Sequence, residues 1–118
     1  MKFEIIDFHI HPYFTSIENI CHYDKSNNLD FTPALMERLG VSKFCGSVLS
    51  HESVTEENVW QILSTFNNHA LKLYDYYKGM YVAGCHVHPN HVKEQKKQLI
   101  CFIVKGLGLL VKLCLGIL

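Results

Sequence analysis

The sequence predicts an α/β protein built around a parallel β-sheet. Short apolar segments alternate along the 118 residues with segments in which apolar side chains recur every three or four positions, and this order is typical of strands that alternate with helices. The predicted strands are largely apolar, which favours a parallel sheet covered by helices. The length is that of one domain, so residues 1–118 are predicted to form a single β/α domain.

The first predicted strand runs from Ile5 into two histidines that are one residue apart. Because side chains alternate along a strand, Asp7, His9 and His11 are expected on one face, opposite an entirely apolar face. Pro12 is expected to end the strand. Imidazole nitrogen is a common ligand of Zn²⁺ and similar ions, so we predict that His9 and His11 bind one divalent ion together. The alternative is a strand end that carries two exposed or hydrogen-bonded histidines.

Three helices and three more strands are predicted after the first strand. A connection at residues 13–30 precedes them and has the length of a functional or mobile loop. Thr32, Thr55 and Asn90 are predicted to cap the three helices, and Gly40 is predicted to end the first. The predicted helices cover residues 33–39, 55–78 and 91–105, and the predicted strands cover residues 42–49, 80–85 and 109–115.

Histidines also follow the third predicted strand. His86 and His88 repeat the His-x-His-Pro pattern of the first strand. Because the carboxyl ends of parallel strands meet at one edge of a sheet, both pairs are expected at the same edge. His86 and His88 could bind the metal, contact a substrate or serve as polar side chains at a strand end, and these alternatives stay open. His22 could add a further ligand.

The opening segment Ile-Ile-Asp-Phe-His-Ile-His-Pro (residues 5–12) resembles the first strand of the amidohydrolase superfamily, the metal-dependent hydrolases with a (β/α)₈ barrel. The spacing to Lys-Phe-Cys-Gly-Ser-Val (residues 43–48) and to Tyr-Val-Ala-Gly-Cys-His-Val-His-Pro (residues 81–89) agrees with the second and third strands of that fold. The resemblance is greatest to the branch related to amidohydrolases and decarboxylases. The Asp-x-His-x-His pattern also opens two groups of phosphoesterases, the PHP domains and the TatD-like nucleases.

The resemblance implies that His9 and His11 are metal ligands and that Asp7 is their neighbour. The ion would be Zn²⁺, or alternatively Mn²⁺, and would activate a water to hydrolyse an amide, ester or lactone bond of a small-molecule substrate. In one branch of the family the reaction is loss of CO₂ from an aromatic acid. The family uses a lysine or glutamate at the end of strand four, and Lys112 lies in the fourth predicted strand. The candidates for contact with the ligands or the substrate are Asp7, His86, His88 and Lys112.

The length predicts an incomplete member of that family. A (β/α)₈ barrel takes at least about 200 residues, so the 118 residues would hold its N-terminal half, with about four strands. We therefore expect a truncated protein with a partial site, which self-associates or needs a complementary half-barrel. The alternative is a catalytically inactive remnant that acts by protein association.

The composition argues against several classes of protein. Eleven Lys and Arg residues balance eleven Asp and Glu residues, and the longest basic run is Lys96-Lys97, so no nucleic-acid partner is expected. Five cysteines without a C-x-x-C pair fit neither a disulfide framework nor a zinc ribbon. The N-terminus enters a strand directly and shows no signal peptide. We therefore predict a cytoplasmic protein.

The apolar tail has a second interpretation. Residues 99–118 are nearly continuous apolar sequence and about long enough to span a bilayer. Lys105 and Lys112 would lie inside the span, each at a cost of roughly 2.5–3.5 kcal/mol. A helix end followed by a buried strand is therefore predicted, and no membrane partner is expected.

Overall fold

The computed structural model describes residues 3–12, 30–49 and 54–105 and the backbone of residues 110–113. Within this part of the chain, four parallel strands pair in the order β1-β2-β3-β4. This confirms the predicted α/β class, while the assignment to half of an eight-stranded barrel stays a prediction. The strands are β1 (Ile5–Asp7), β2 (Val41–Ser47), β3 (Tyr81–Val87) and β4 (Leu110–Leu113), and the helices are α1 (Phe31–Leu39), α2 (Val59–Tyr76) and α3 (Val92–Val104), with a 3₁₀ turn at Pro89–His91.

The apolar tail is divided between a helix and a strand, as predicted. Helix α3 ends at Val104, and the backbone of Leu110–Leu113 pairs with β3. Among the described residues, no helix combines the length and the apolar character needed to cross a bilayer. Other predicted features lie outside the described residues: positions 13–29 of the predicted loop, His22 within it, and the side chain of Lys112.

The two strands that flank β3 are staggered along it, and their ladders overlap only at Gly84. The first half of β3 pairs with β2, from Tyr81 opposite Phe44 to Gly84 opposite Ser47. Its second half pairs with β4, from Gly84 to Val87. The register of β2 with β3 therefore ends at Gly84, three residues before β3 itself ends.

The core lies between this sheet and the long helix α2. Apolar side chains recur along α2 at three- and four-residue intervals, as an amphipathic helix requires, and Leu63, Ala70 and Leu73 are buried. On the sheet, the Phe44 ring stacks on Tyr81 with ring centroids 5.5 Å apart. Burial of one side chain of this size contributes about 1.5–3 kcal/mol to the free energy of unfolding. The packing of α2 on the sheet therefore stabilises β2 and β3.

Helix α1 confirms its predicted end and corrects its predicted start. Gly40 adopts a left-handed conformation with φ 75°, and its N–H donates to carbonyls of the last helical turn. A residue with a β-carbon is strained in that conformation. The predicted cap at Thr32 is wrong, because the helix begins at Phe31 after Asp30 and Thr32 is buried within the first turn.

The predicted caps of the other two helices are also wrong, by three residues at α2 and by one at α3. Asn58 precedes α2, and its side-chain oxygen accepts the N–H of Thr55 at 2.6 Å. Residues 55–58 therefore form a turn before the helix. At α3, the 3₁₀ turn precedes the helix, and the N–H of Asn90 donates to the His88 ring at 3.3 Å. Asn90 is thus inside a turn capped by a histidine.

Candidate functional site

The rings of His9 and His11 converge at the carboxyl edge of the sheet. Their Nε2 atoms lie 3.1 Å apart, and the ring planes are nearly perpendicular at 88°. Two nitrogens that each lie about 2.0–2.1 Å from one ion are separated by roughly 2.9–3.4 Å for coordination angles between the octahedral and tetrahedral values. The 3.1 Å separation is that of a hydrogen bond between the two rings, and it also matches the spacing of two ligands of a single ion.

A backbone carbonyl fixes the protonation pattern of the His11 ring. Its Nδ1 lies 2.9 Å from the carbonyl oxygen of Ser47. A carbonyl oxygen can only accept, so Nδ1 carries the hydrogen and Nε2 of the neutral ring presents a lone pair. This is the arrangement in which a metal-binding histidine is usually held, with the second ring nitrogen bonded to an outer partner.

The two histidines lie on a turn rather than on a strand. Strand β1 ends at Asp7, four residues earlier than predicted, and one carboxylate oxygen of Asp7 accepts the N–H of His9 at 3.0 Å. The chain then rejoins β2, where the N–H of Ile10 donates to the carbonyl of Cys45 at 3.1 Å. The predicted length of the strand is therefore wrong, because an aspartate side chain competes with the ladder for backbone groups. The predicted placement of His9 and His11 on one side, with Ile10 buried on the other, agrees with the structure.

Gly46 allows this turn to lie against β2. A β-carbon at Gly46 would stand 1.7 Å from the carbonyl oxygen of Ile10. Ile10 itself is buried in the core. Position 46 therefore requires glycine, because any side chain there would displace Ile10, which lies between His9 and His11.

His86 lies in the interior. Its side chain is 1% exposed, and its Nε2 donates to the carbonyl oxygen of Val48 at 2.8 Å. The amide of Asn67 bonds both backbone groups of His86, accepting its N–H at 2.7 Å and donating to its carbonyl at 2.9 Å. The ring also packs against Phe66 of α2, with centroids 5.7 Å apart. These contacts support the interpretation of His86 as a polar side chain at a strand end.

His88 is placed in the turn that leads into α3. Its backbone N–H donates to Gln95 at 2.9 Å, and its Nδ1 accepts the N–H of Asn90. Its ring lies 5.3 Å from that of His91, which stacks on Trp60 at 6.0 Å. The described contacts of His88 are therefore with residues at the start of α3.

Three residues that bond the side chain of His11 or the side chain or backbone of His86 were not singled out by the sequence. Ser47 and Val48 act through backbone carbonyls, which no residue pattern reveals. Asn67 interrupts the apolar stripe of α2 as a fully buried amide, and a polar residue at an apolar position is the signal that could have marked it. A glycine inside an apolar strand, as at position 46, likewise indicates a close backbone approach.

The hydroxyl of Ser47 is buried and has no hydrogen-bond partner among the described residues. It belongs to the residue whose carbonyl orients His11. Buried hydroxyls are usually satisfied by protein or by ordered water. The Ser47 hydroxyl is therefore a buried polar group that a water would satisfy.

The described residues supply two candidate metal ligands and not a complete set. No group of three or more His, Cys, Asp or Glu side chains in the described ranges is arranged to hold an ion. The described backbone of Lys112 lies opposite His86 in the sheet. His9 and His11 would thus provide half of a tetrahedral set.

The two buried cysteines near the site are not activated nucleophiles. Burial raises the pKa of the Cys85 thiol to about 12. Burial, and then the charge of Asp7, raises the pKa of Cys45. A thiol becomes nucleophilic when its pKa is lowered, so cysteine chemistry is not favoured here.

Comparisons of the chain with protein-family models, with curated protein sequences and with solved structures found no match. The function is therefore inferred from residue types and geometry.

Proposed function

We propose that this chain is a metal-dependent hydrolase of the amidohydrolase type with an incomplete site, in which His9 and His11 bind one divalent ion. The observation that carries the proposal is the 3.1 Å separation of the two Nε2 atoms. The hydrogen bond from His11 to the Ser47 carbonyl supports it, because that bond leaves Nε2 with the lone pair a metal needs. Zn²⁺ is the preferred ion for two imidazoles, with Mn²⁺ as the alternative.

The residues of the chain hold and orient the two rings. Asp7 fixes the backbone at His9, and Ser47 fixes the ring of His11. When bound, the ion lowers the pKa of a coordinated water towards neutrality and polarises a carbonyl group. The substrate class would be a small molecule with an amide, ester or lactone bond. The remaining ligands would come from outside the described residues or from a second half-barrel.

Metal titration of the purified full chain tests the proposal. Zn²⁺ is added to the metal-free protein, and binding is followed by calorimetry and by equilibrium dialysis. Wild-type protein is expected to bind one ion, and His9→Ala and His11→Ala to lose that binding. His69→Ala, which removes a histidine from α2, is the matched control and is expected to bind as wild type does. Equal binding by wild type and His9→Ala would contradict the proposal.

The reaction class is tested separately with chromogenic substrates. A metal-loaded hydrolase of this type is expected to cleave an activated ester or a lactone faster than metal-free protein does. Preferential cleavage of a phosphodiester would favour the phosphoesterase alternative. Binding of Zn²⁺ without hydrolysis of either would point to an incomplete site and leave the metal assignment intact.

A second candidate function, association between copies of the chain, is favoured by the exposed edge of the sheet. Phe3, Ile5 and Phe8 are 79%, 48% and 65% exposed. β1 and β4 are the two outer strands of the described sheet. A two-fold axis parallel to the strands would place β1 of each copy beside β4 of the other. The formal net charge of the chain is zero, so there is no net electrostatic repulsion between two copies.

Sedimentation velocity tests this association. The wild-type chain is expected to dimerise at micromolar concentration, and Phe8→Asp to weaken the dimer by placing a charge on the apolar edge. Phe31→Asp is the matched control, because Phe31 is also exposed but lies at the start of α1. A wild-type chain that remains monomeric at tens of micromolar would exclude the dimer.

A further inference from the structure

The end of β2 is held between two histidines that come from different parts of the chain. His11 donates to the carbonyl of Ser47 at 2.9 Å, and His86 donates to the carbonyl of Val48 at 2.8 Å. Successive carbonyls of an extended chain point in opposite directions. The two rings therefore bind β2 from opposite sides, His11 from the side of β1 and His86 from the side of β3.

His86 is a rigid support because its own backbone is fixed. Asn67, which is fully buried, bonds both the N–H and the carbonyl of His86. The same amide donates to Gln98 at 3.0 Å, and Gln98 donates to the carbonyl and the hydroxyl of Ser64. A polar network anchored on α2 and α3 thus holds His86 at the point where the register of β2 with β3 has ended.

We propose that His86 is a positioning residue for His11 and acts through the end of β2. Val48 is buried, so removal of the His86 donor leaves its carbonyl without that partner and releases the chain end from the side of β3. The neighbouring Ser47 carbonyl then no longer holds the His11 ring beside His9. The test by Zn²⁺ affinity rests on the proposed function, whereas the test by the tautomer of His11 in metal-free protein does not.

Two substitutions at position 86 separate the hydrogen bond from the fold. In His86→Gln the side-chain amide nitrogen reaches about as far as Nε2 and can donate to Val48. In His86→Asn the amide is of the same chemical type but too short. Zn²⁺ is expected to bind about tenfold more weakly to the Asn variant, at the lower end of the effect of outer partners, and within about threefold of wild type to the Gln variant.

The second readout is the tautomer of His11 in the metal-free protein. Long-range ¹H–¹⁵N correlation spectra are expected to show hydrogen on Nδ1 in wild type and in His86→Gln, and a mixture of tautomers in His86→Asn. Leu73→Ala, which removes a buried side chain of α2, controls for lost stability and is expected to keep the wild-type spectrum. If the Asn variant does not fold, Asn67→Ala is measured in the same way.

The two proposals fail in different ways. Wild-type protein that binds no Zn²⁺ would contradict the proposed function, and the His11 tautomer would still decide the positioning role. An Asn variant that folds and keeps both the wild-type tautomer and the wild-type affinity would overturn the positioning role. If His86→Asn does not fold, a wild-type His11 tautomer in Asn67→Ala would overturn the positioning role.

Discussion

The carbonyl of Ile10 occupies the space above Gly46, where a β-carbon would stand 1.7 Å from its oxygen. Gly46→Ala is therefore expected to displace the turn that carries His9 and His11. Overpacking of this kind typically costs about 1–3 kcal/mol, and occasionally more. Urea unfolding measures the loss of stability. Zn²⁺ titration measures the loss of metal binding by His9 and His11.

Gly79→Ala is the matched control for that substitution. Gly79 has φ 79°, and a methyl group added there would meet nothing within 4 Å, so alanine costs about 1–2 kcal/mol from backbone strain alone. It is expected to leave metal binding unchanged. If the two alanine variants weakened Zn²⁺ binding equally, the close approach at Gly46 would not control the site.

Asn67→Ala is expected to be among the most destabilising changes on α2. It removes both hydrogen bonds to the backbone of His86 and the contact with Gln98 in a fully buried position. Each buried group left without a partner costs about 1–3 kcal/mol. Thr65→Ala on the exposed side of the same helix is expected to change stability by at most about 0.5 kcal/mol. Similar denaturation midpoints for the two variants would contradict the role of Asn67.

Ser64→Ala is expected to destabilise the protein, and Ser47→Ala is not. The Ser47 hydroxyl is buried with no partner among the described residues, whereas the Ser64 hydroxyl accepts from Gln98 at 2.8 Å. Removing an unsatisfied buried hydroxyl is neutral or stabilising, and removing a bonded one costs about 0.5–1.5 kcal/mol. Thermal unfolding of Ser47→Ala and Ser64→Ala measures both. A clear loss of stability in Ser47→Ala would indicate a water or ligand bound to its hydroxyl.

The free energy of unfolding is expected to fall in alkaline solution partly because of Cys85. Its pKa is raised to about 12 by burial, whereas an unfolded thiol has a pKa of about 8.5. Between these values the unfolded chain loses the thiol proton and the folded chain keeps it, so stability is fully present below the lower value and is lost as pH rises. The slope is about 1.4 kcal/mol per pH unit.

Urea unfolding from about pH 8 to about pH 12, the window set by the two thiol pKa values, tests the contribution of Cys85 under reducing conditions. Cys85→Ala is expected to have a smaller slope of stability against pH than wild type. Val87→Ala, a core truncation in the same strand that removes no titratable group, is expected to retain the wild-type slope. Identical slopes for wild type and Cys85→Ala would contradict the assignment.

The order of the elements could be predicted because it depends on local periodicity. The stripe of α2 and the left-handed Gly40 are properties of short segments, and both were located correctly. Helix starts were less predictable, because several residues near each start have capping side chains. At α1 the choice depended on the burial of Thr32, which is a property of the packed protein and not of the segment.

The candidate site was predictable in its residues and not in its geometry. The His-x-His spacing identifies His9 and His11, but a strand was predicted where Asp7 forms a turn. The bond between His86 and Val48 joins residues 38 positions apart, and no local pattern encodes it. Support for a site by buried backbone carbonyls becomes visible only when the strands are assembled.

The stagger of the two neighbours of β3 gives the carboxyl end of β2 a different local stability from the rest of that strand. From Phe44 to Ser47, β2 is joined to β3 by backbone pairing, whereas at Val48 the His86 side chain makes the connection and the backbone of β3 pairs with β4 on its other edge. A side-chain bond opens by a change of rotamer, and a ladder bond opens only when backbone moves. Amide hydrogen exchange is expected to be slower along the paired part of β2 than at Val48. Local opening there would then release the His11 ring from the Ser47 carbonyl while α2 remains folded.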